Sequence, residues 1–508
     1  MKLSEIIKGL EYIEISGSLN KDVKNIFFNS KEVLKDTLFV AIPGFKQDGN
    51  NFIEDAINKG ASAVVSTRKL KGLNEDSKKI TQIIVKDSRA ALALISKNFY
   101  SDPSKELKIT GITGTNGKTT TAFLTDSILQ AARKKTSLIT TVESYILDDL
   151  VKFNRTTPES LELNDFFRKS VKKNVTHTTM EVSSHAIDLH RIDYISFHSF
   201  VFTNLTQDHL DYHKSIKNYF DVKQRLFVPD FRQIFKGKYA VINIDDYYGK
   251  LLRKTTDLIP ITYSILNKNS NIYASDIISD TSGLKMKINF EGEKISVDSS
   301  LSGNFNVYNI LAAFGVGVSY GLDPNIIAEG ITRVKNIKGR FEKITEIKDF
   351  TVIIDYAHTP DGLSNVLRMV KSILKPGSKL ITVFGCGGDR DKDKRPKMGK
   401  IAGEMSDFVV LTSDNPRSEN PDLIIDMIEN GLSNIPDIKY EKIADRESAI
   451  IFALNIAKKD DIVVIAGKGH EDYQEFNGYR INFSDQAIVK SWAHEKYRTK
   501  DKVKLQED

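Results

Sequence analysis

Residues 107–121, LKITGITGTNGKTTT, set a lysine and three threonines directly behind an apolar run and a glycine-containing turn. A helix-forming stretch, AFLTDSILQAARKK, follows. Strand, turn and helix in that order bring backbone N–H groups and a positive helix end to one point, which suits a polyphosphate. The spacing is not the strict G-x-x-x-x-G-K-[ST], which needs glycine where Ile112 stands. It reads instead as Gly114-Thr115-Asn116-Gly117-Lys118-Thr119, with Lys118 reaching the β/γ-phosphates and Thr119 or Thr120 offering an oxygen to Mg²⁺. The plainer alternative is a lysine-bearing turn at a helix start.

Lys223 is the second chemical landmark. Ser215 to Phe227 reads as an amphipathic helix whose apolar face is Ile216, Tyr219, Val222, Leu226 and Phe227, with Lys223 in its middle. Lys217 and Arg225 fall outside that stripe. A lysine facing a core needs a partner, a depressed pKa or a chemical modification; snorkelling past apolar neighbours is the other reading. A neutral amine near a cation can take up CO₂ as a carbamate, an oxygen ligand for Mg²⁺. Glu181 and His209 end apolar runs of the same region and, with a loop threonine, would complete an oxygen-rich site containing one imidazole. As a bare pair they read more readily as structural residues. His209 with Asp208, Asp211 and His213 has the look of a zinc cluster, but the lack of a cysteine in this stretch and the phosphate loop upstream favour Mg²⁺.

A third group lies in the last third of the chain. Arg390 follows Gly387-Gly388-Asp389, and Arg417 closes Asp414-Asn415-Pro416-Arg417. Two arginines at one sheet edge suit a carboxylate, while Glu471, in Gly467-Lys468-Gly469-His470-Glu471, can pair with an ammonium. A zwitterionic amino acid suits the set; solvated loops and caps are the bland alternative. His185, His358 and His470 read as loop histidines or as site residues with equal ease.

The elements that must position these residues are alternating strands and helices. Val175–Met180, Phe197–Phe202 and Tyr239–Asn243 read as strands, each delivering polar residues at its C-terminal end. In open α/β sheets that edge binds ligands, so these loops should share a site with the phosphate loop. From 336 onward the design repeats, with runs at 351–354, 380–384, 408–412 and 462–466 predicting a second doubly wound unit. It lacks a G-x-G-x-x-G fingerprint with a ribose acid. Residues 1 to about 100 predict a small α/β unit, with short β runs such as 36–42, a helix near 52–59 and a strand near 62–66. Asp102-Pro103-Ser104 marks a boundary.

Length and composition agree. The 508 residues suffice for about three domains. No run of 18 apolar residues predicts a membrane span, and the N-terminal stretch has no signal-peptide pattern. One cysteine, Cys386, excludes an intrachain disulfide and fits a reducing, cytoplasmic compartment. The net charge of +6 is spread through the chain, with no basic stripe or nucleic-acid motif. Anionic small molecules are the expected partners, with no obligate protein partner evident.

Taken in order, the motifs resemble the Mur ligase family of peptidoglycan synthesis over essentially the whole chain. They are Gly114 to Thr120, Thr156-Thr157-Pro158, Met180-Glu181-Val182-Ser183-Ser184-His185, Thr203 to His213, Gly303-Asn304-Phe305-Asn306, Gly339-Arg340-Phe341-Glu342, Asp355-Tyr356-Ala357-His358 and the two C-terminal loops. The resemblance is to the branch that adds a diamino acid to UDP-MurNAc-L-Ala-D-Glu. It implies three α/β domains: 1–103 for the UDP-substrate, 104–335 as a central P-loop ATPase-like unit, and 336–508 as a Rossmann-like amino-acid unit. It implies ATP and Mg²⁺, with Lys118, Lys223 and His209 in catalysis and Lys223 carbamylated. Thr119, Glu181, His209 and Lys223 would hold the metal. Gly114 to Thr120, Asn304, Asn309, Arg340 and Asp355 would hold ATP, the two asparagines on its adenine side.

For the UDP-substrate the resemblance implies Ser30, the loop Phe45-Lys46-Gln47, Thr156, Thr157, Ser183 and Arg191. For the diamino acid it implies Arg390, Asp414, Asn415, Pro416, Arg417, Gly467 and Glu471. Asp-Asn-Pro-Arg resembles members that take meso-diaminopimelate; L-lysine and L-ornithine are the alternatives. Phe45-Lys46-Gln47, Asn29-Ser30-Lys31 and Arg155 depart from the family pattern at the nucleotide-sugar end. A folylpolyglutamate synthetase-like ligase would not need the full N-terminal region or the Asp414–Arg417 loop. A non-catalytic nucleotide-binding regulator would be expected to have lost Lys118, Glu181 or Lys223, and all three are present.

Overall fold

The computed structural model describes residues 1–44, 47–70, 80–280, 283–433 and 435–507, with 498–507 as helix backbone alone. Phe45 and Lys46 of the N-terminal loop lie outside the described residues. No helix among the described residues is long and apolar enough to cross a membrane.

The strand Lys108–Thr113 is the axis of an eleven-stranded sheet. His177–Glu181 and Ser199–Phe202 flank it, both parallel. Thr136–Ile139 continues the sheet on one side; Tyr239–Asn243, Ile259–Ser264 and Ile272–Asp280 continue it on the other, all parallel. Such strands are covered on both faces and therefore read as unbroken apolar runs. Alternate residues serve opposite faces: Ile109, Met180, Phe200 and Phe202 pack in one core cluster, Ile112, Leu138 and Val201 in another. The phosphate-loop helix Lys118–Ala131 and the helix Asn304–Ser319 cover the second face.

The expectation of strictly alternating strands and helices from 105 to 335 needs correction. Ile272–Asp280, Gly283–Phe290 and Glu293–Ser299 form an antiparallel meander that extends the central sheet without crossover helices. Its strands alternate buried and exposed residues, because one face meets solvent. At the opposite edge Ser144–Ile146 and Asp149–Val151 add an antiparallel hairpin.

The described residues form two further sheets and a hairpin. Residues 14–84 carry a five-stranded sheet in which all neighbours are parallel except Glu14–Ser16 with Thr81–Ile84. Residues 342–466 carry a six-stranded sheet, ordered Glu342–Ile344, Thr351–Asp355, Ile462–Ala466, Leu380–Phe384, Phe408–Leu411 and Lys439–Lys442, parallel but for the first strand. Beside it stands a hairpin of Tyr473–Phe476 and Tyr479–Asn482. Asp102, in the left-handed region at φ 50°, and the turn Pro103–Glu106 join the first sheet to the second. The fold is thus mixed α/β, built on three parallel-rich sheets.

Candidate active site

Two glycines shape the phosphate loop. Gly114 and Gly117 have φ of 147° and 87°, which other residues rarely adopt. A Cβ on Gly114 would lie 1.9 Å from Thr203 Oγ1, and one on Gly117 would lie 2.2 Å from Asn309 Oδ1. The loop is pinned by the next strand end: Thr115 N–H donates to Asn204 O, and Asn116 N–H to Asn204 Oδ1, both at 2.9 Å. Lys118 Nζ folds back onto Gly114 O and Thr115 O at 3.0 and 2.8 Å. Burial lowers its pKa.

Around this loop lies a cavity of about 500 Å³. Gly114 to Thr120, Glu181, His209, Lys223, Thr156, Ser183, Asn304, Asn309, Arg340 and Asp355 all line it. Asn309 stands behind the loop, bonded to Thr121 and Asn306. Thr157 and Arg191 form the layer behind the lining: Thr157 Oγ1 donates to Glu181 O at 2.9 Å, and Arg191 Nη1 to Thr157 O at 3.1 Å. Ser30 is not brought to this cavity; it is buried in the five-stranded unit, where its carbonyl accepts from Lys59 Nζ.

Lys223 is 0% exposed, which rules out snorkelling. Its Nζ donates to Thr113 Oγ1 and Gly114 O at 3.2 and 3.1 Å and lies 4.7 Å from the centre of the Tyr219 ring. Burial, and then the charge of Lys118, push its pKa well below the usual lysine range. A pKa depressed in this way favours the neutral, nucleophilic amine. His209 sits at φ 54° beside Asp208, with Nε2 3.3 Å from its carboxylate. Burial takes the imidazole down to about 3, leaving it neutral and able to ligate a metal. Burial alone would raise Asp208, but His209, His358, Lys394 and Lys118 hold it well below the usual carboxylate range.

Glu181 is fixed by two hydroxyls and an amide. Thr119 Oγ1 donates to Glu181 Oε1 at 2.7 Å, Thr141 N–H to the same oxygen at 2.9 Å, and Thr141 Oγ1 to Oε2 at 3.2 Å. Thr141 also bonds Thr156 at 3.1 Å. Sequence reasoning missed Thr141, although it too follows an apolar strand, Thr136–Ile139, at the same edge. No group of three His, Cys, Asp or Glu side chains converges as a metal cluster among the described residues. Glu181, Thr119, the neutral imidazole of His209 and the amine of Lys223 all line the cavity. Carbamylation of Lys223 would make three of these four groups oxygen ligands, the kind Mg²⁺ takes.

The six-stranded unit reaches into this cavity. Arg340 Nη2 donates to Thr119 Oγ1 at 2.9 Å, with its guanidinium 4.5 Å from the centre of the Tyr356 ring. Asp355 accepts from the backbone N–H of Phe341 and Ala357, which fixes the turn that carries Arg340. Asn116 Nδ2 donates to Asp361 at 2.8 Å, joining the phosphate loop to the helix Pro360–Ile373.

The remaining predicted residues gather at a separate edge. Asp414, Asn415, Pro416 and Arg417 follow the strand Phe408–Leu411, and Gly467 and Glu471 follow Ile462–Ala466. A Cβ on Gly467 would lie 2.6 Å from Asp414 Oδ2, so only glycine lets the two loops meet. Arg417, at φ 52°, donates Nη1 to Gly388 O at 2.7 Å and places Nε 3.3 Å from Glu475 Oε2. Glu471 accepts from Asn415 Nδ2 and Lys468 Nζ at 2.8 and 3.0 Å. Arg390 is exposed, with Nη1 on its neighbour's carbonyl. Lys468 and Glu475 went unnoticed in the sequence. Lys468 could have been found by its place between two glycines inside a strand-end loop; Glu475 carries no such signal.

Family models match three consecutive stretches: Mur ligase family, catalytic domain, at 22–100; Mur ligase middle domain at 112–317; and Mur ligase, glutamate ligase domain, at 339–469. The chain is 43% identical over 501 residues to the UDP-N-acetylmuramoyl-L-alanyl-D-glutamate--2,6-diaminopimelate ligase of Clostridium tetani, covering 98% of this chain and 100% of that one. It is 42% identical to the enzyme of the same name from Caldanaerobacter subterraneus subsp. tengcongensis, over 96% and 98% of the two chains. A solved structure of a ligase of that name superposes with a TM-score of 0.67 at 32% identity, over 98% and 99% of the two chains. The chain belongs to the Mur ligase family, and is an acid–amino-acid ligase.

Proposed function

We propose that the protein is the ATP-dependent ligase that joins meso-diaminopimelate to the D-Glu side-chain carboxylate of UDP-MurNAc-L-Ala-D-Glu. The observation that carries this reading is one chain of hydrogen bonds from Arg340 through Thr119 to Glu181. It ties the phosphate loop, a metal-type carboxylate and the amino-acid unit into a single cavity. A ligase that activates one substrate with phosphate and passes it to another needs that connection.

In this reading the division is 1–103, 104–335 and 336–508, with both boundaries between sheets. Gly114 to Thr120 cradle the ATP phosphates, Asn304 and Asn309 face its adenine side, and Arg340 and Asp355 clamp it across the two units. Thr119, Glu181, His209 and carbamylated Lys223 hold Mg²⁺, which supplies charge neutralisation at the transferring phosphoryl group. The complete burial and depressed pKa of the Lys223 amine support the carbamate. Thr156 and Ser183 hold the muramoyl-dipeptide, braced from behind by Thr157 and Arg191, and Ser30 meets its uridine end. UDP-linked and ATP substrates make the compartment cytoplasmic.

The D-Glu carboxylate oxygen attacks the γ-phosphorus, and the bond to the β-phosphate oxygen breaks, giving an acyl phosphate and ADP. Lys118 steadies the charge that develops on the transferring group. The diamino acid's amine then attacks the acyl carbon, loses a proton, and expels inorganic phosphate. Arg390, Asp414 to Arg417, Gly467 and Glu471 orient the diamino acid.

The charges at that edge favour meso-diaminopimelate. Arg390, Arg417 and Lys468 stand with Asp414, Glu471 and Glu475, a set balanced between cations and carboxylates. A distal zwitterion leaves the balance intact, whereas the lone ammonium of L-lysine or L-ornithine adds an uncompensated charge. The test is phosphate release with UDP-MurNAc-L-Ala-D-Glu and ATP, offering meso-diaminopimelate, L-lysine and L-ornithine in parallel. Release with meso-diaminopimelate is expected; a response only to L-lysine or L-ornithine refutes the specificity argued here.

A further inference from the structure

A lysine with no exposed surface lies in the turn that carries Glu471. Lys468 stands between Gly467 at φ 111° and Gly469 at φ 54°. Its side chain is 0% exposed, against 15% for Glu471. An ammonium removed from water this completely needs close partners. Its Nζ donates to Glu471 Oε2 at 3.0 Å and to Asn415 Oδ1 at 3.2 Å, and it lies 5.4 Å from the centre of the Tyr473 ring. Asn415 donates Nδ2 to the same Glu471 oxygen at 2.8 Å and accepts the Glu475 N–H at 3.0 Å. Gln474 Nε2 donates to Asp414 O at 2.9 Å. Lys468 therefore sits where three segments meet: its own turn, the 414–417 loop and the hairpin from Tyr473.

We infer that Lys468 is a positioning residue for the amino-acid subsite, aiming Glu471 and locking Asn415 beneath it. The inference rests on the reading that Glu471 receives an ammonium of the diamino acid. Lys468 itself, behind Glu471, does not meet the ligand.

The groups facing Glu471 show why this ammonium matters. Burial raises the Glu471 pKa, Asp414 raises it further, and Lys468 opposes both. Tyr356, Tyr473 and Arg446 are the other titratable groups that face it. The tyrosines are uncharged, and Arg446 is held by both oxygens of Asp485. Without Lys468, Asp414 and Glu471 become two neighbouring carboxylates in a buried place, where one takes up a proton. A protonated Glu471 no longer attracts an ammonium. The loss is greatest at low pH and recovers as pH rises through the new Glu471 pKa.

The experiment measures phosphate release at saturating ATP and UDP-MurNAc-L-Ala-D-Glu, varying meso-diaminopimelate across the neutral pH range. It compares the wild type, Lys468→Met, Glu471→Gln and the double variant. Lys468→Met should raise the amino-acid KM about tenfold, the equivalent of one pKa unit, with a smaller change in kcat. That KM should fall as pH rises, while the wild type stays flat. The double variant, with no charge on either group, should match Glu471→Gln alone and show no pH dependence. A wild-type KM and pH profile in Lys468→Met, or effects that multiply in the double variant, would overturn the inference. Should Lys468→Met fail to fold, the comparison of Glu471→Gln with the double variant still decides. A wild type silent toward every diamino acid overturns the functional reading itself, and this inference with it.

Discussion

At the edge of the eleven-stranded sheet, Lys118 and Lys223 donate to the carbonyls of the phosphate loop and to the Thr113 hydroxyl. At the edge of the six-stranded sheet, Arg417 and Lys468 each meet a carboxylate of the same edge, Glu475 and Glu471. The first edge carries two lysines whose pKa values burial depresses. Glu181, Asp208, Asp355 and Asp361 line the same cavity, but neither lysine is ion-paired among the described residues. The second is internally neutralised and keeps its geometry by ion pairs, which suits a ligand whose charges cancel. Both sit at the C-terminal ends of parallel strands, so the same topology supports cations left without an ion pair and cations held in one.

Removing the phosphate-loop lysine breaks the comparison most severely. Lys118→Ala should lower kcat about a thousandfold or more, the scale for deleting a preorganised charge at the transferring group. Phosphate release measures it, with circular dichroism to confirm the fold. Near-normal turnover would mean that Lys118 does not act on the transferring phosphoryl group. Lys223→Ala should come next, a loss of about a hundredfold or more if it supplies a metal-bound oxygen. Short carboxylic acids should restore part of that activity by replacing the carbamate. The pH sign follows from the depressed amine pKa: neutral amine, and therefore carbamate, predominates above it and is lost as pH falls. Normal turnover of Lys223→Ala without added acid refutes the carbamate.

These two lysines were legible in the sequence because each breaks a local pattern. Lys118 follows two glycines behind a doubly buried strand, and Lys223 interrupts an apolar helical face that is in fact buried around it. Glu181, His209 and Arg417 were legible from their place at strand ends. The ion pairs were not. Lys468 and Glu471 are close in sequence, but Asn415, which joins them, comes from a loop more than 50 residues earlier. The Arg417–Glu475 contact depends on how the Tyr473–Asn482 hairpin docks, which no local pattern encodes. The meander of 272–299 escaped notice because its alternating, half-exposed strands look like polar loops between helices. Tertiary placement decided each of these.

The carboxylate-binding arm of the neutral edge gives a smaller, more selective effect. Arg417→Lys keeps the charge but loses the planar fork, so kcat/KM for meso-diaminopimelate should fall about tenfold to a hundredfold, in line with ~1.5–3 kcal/mol for a charged hydrogen bond. Turnover with L-lysine, where measurable, should change much less. Equal losses for both substrates would show that Arg417 supports the loop, through Gly388 and Glu475, and does not read the ligand. That outcome would sharpen the contrast between the edges by making the second one purely structural.

The smallest predicted effect lies between the two edges. Asn116 Nδ2 reaches across from the phosphate loop to Asp361 on the helix Pro360–Ile373, at 2.8 Å. Asp361 is half-buried, with Asn365 and Thr206 beside it as well as Asn116, and an amide in its place keeps an oxygen that can accept from Asn116. Asp361→Asn should therefore leave kcat/KM for ATP within about twofold. Asp361→Ala removes the acceptor and should cost about 1 kcal/mol, or roughly fivefold, the net worth of one hydrogen bond. Measuring KM for ATP beside the thermal midpoint separates a contact that brings the two units together over the nucleotide from one that only stabilises the fold. If the alanine variant loses midpoint but not KM, the contact is scaffolding. If it loses KM alone, the phosphate loop senses the amino-acid unit through Asn116, and the charged and neutral edges communicate through this one bond as well as through Arg340.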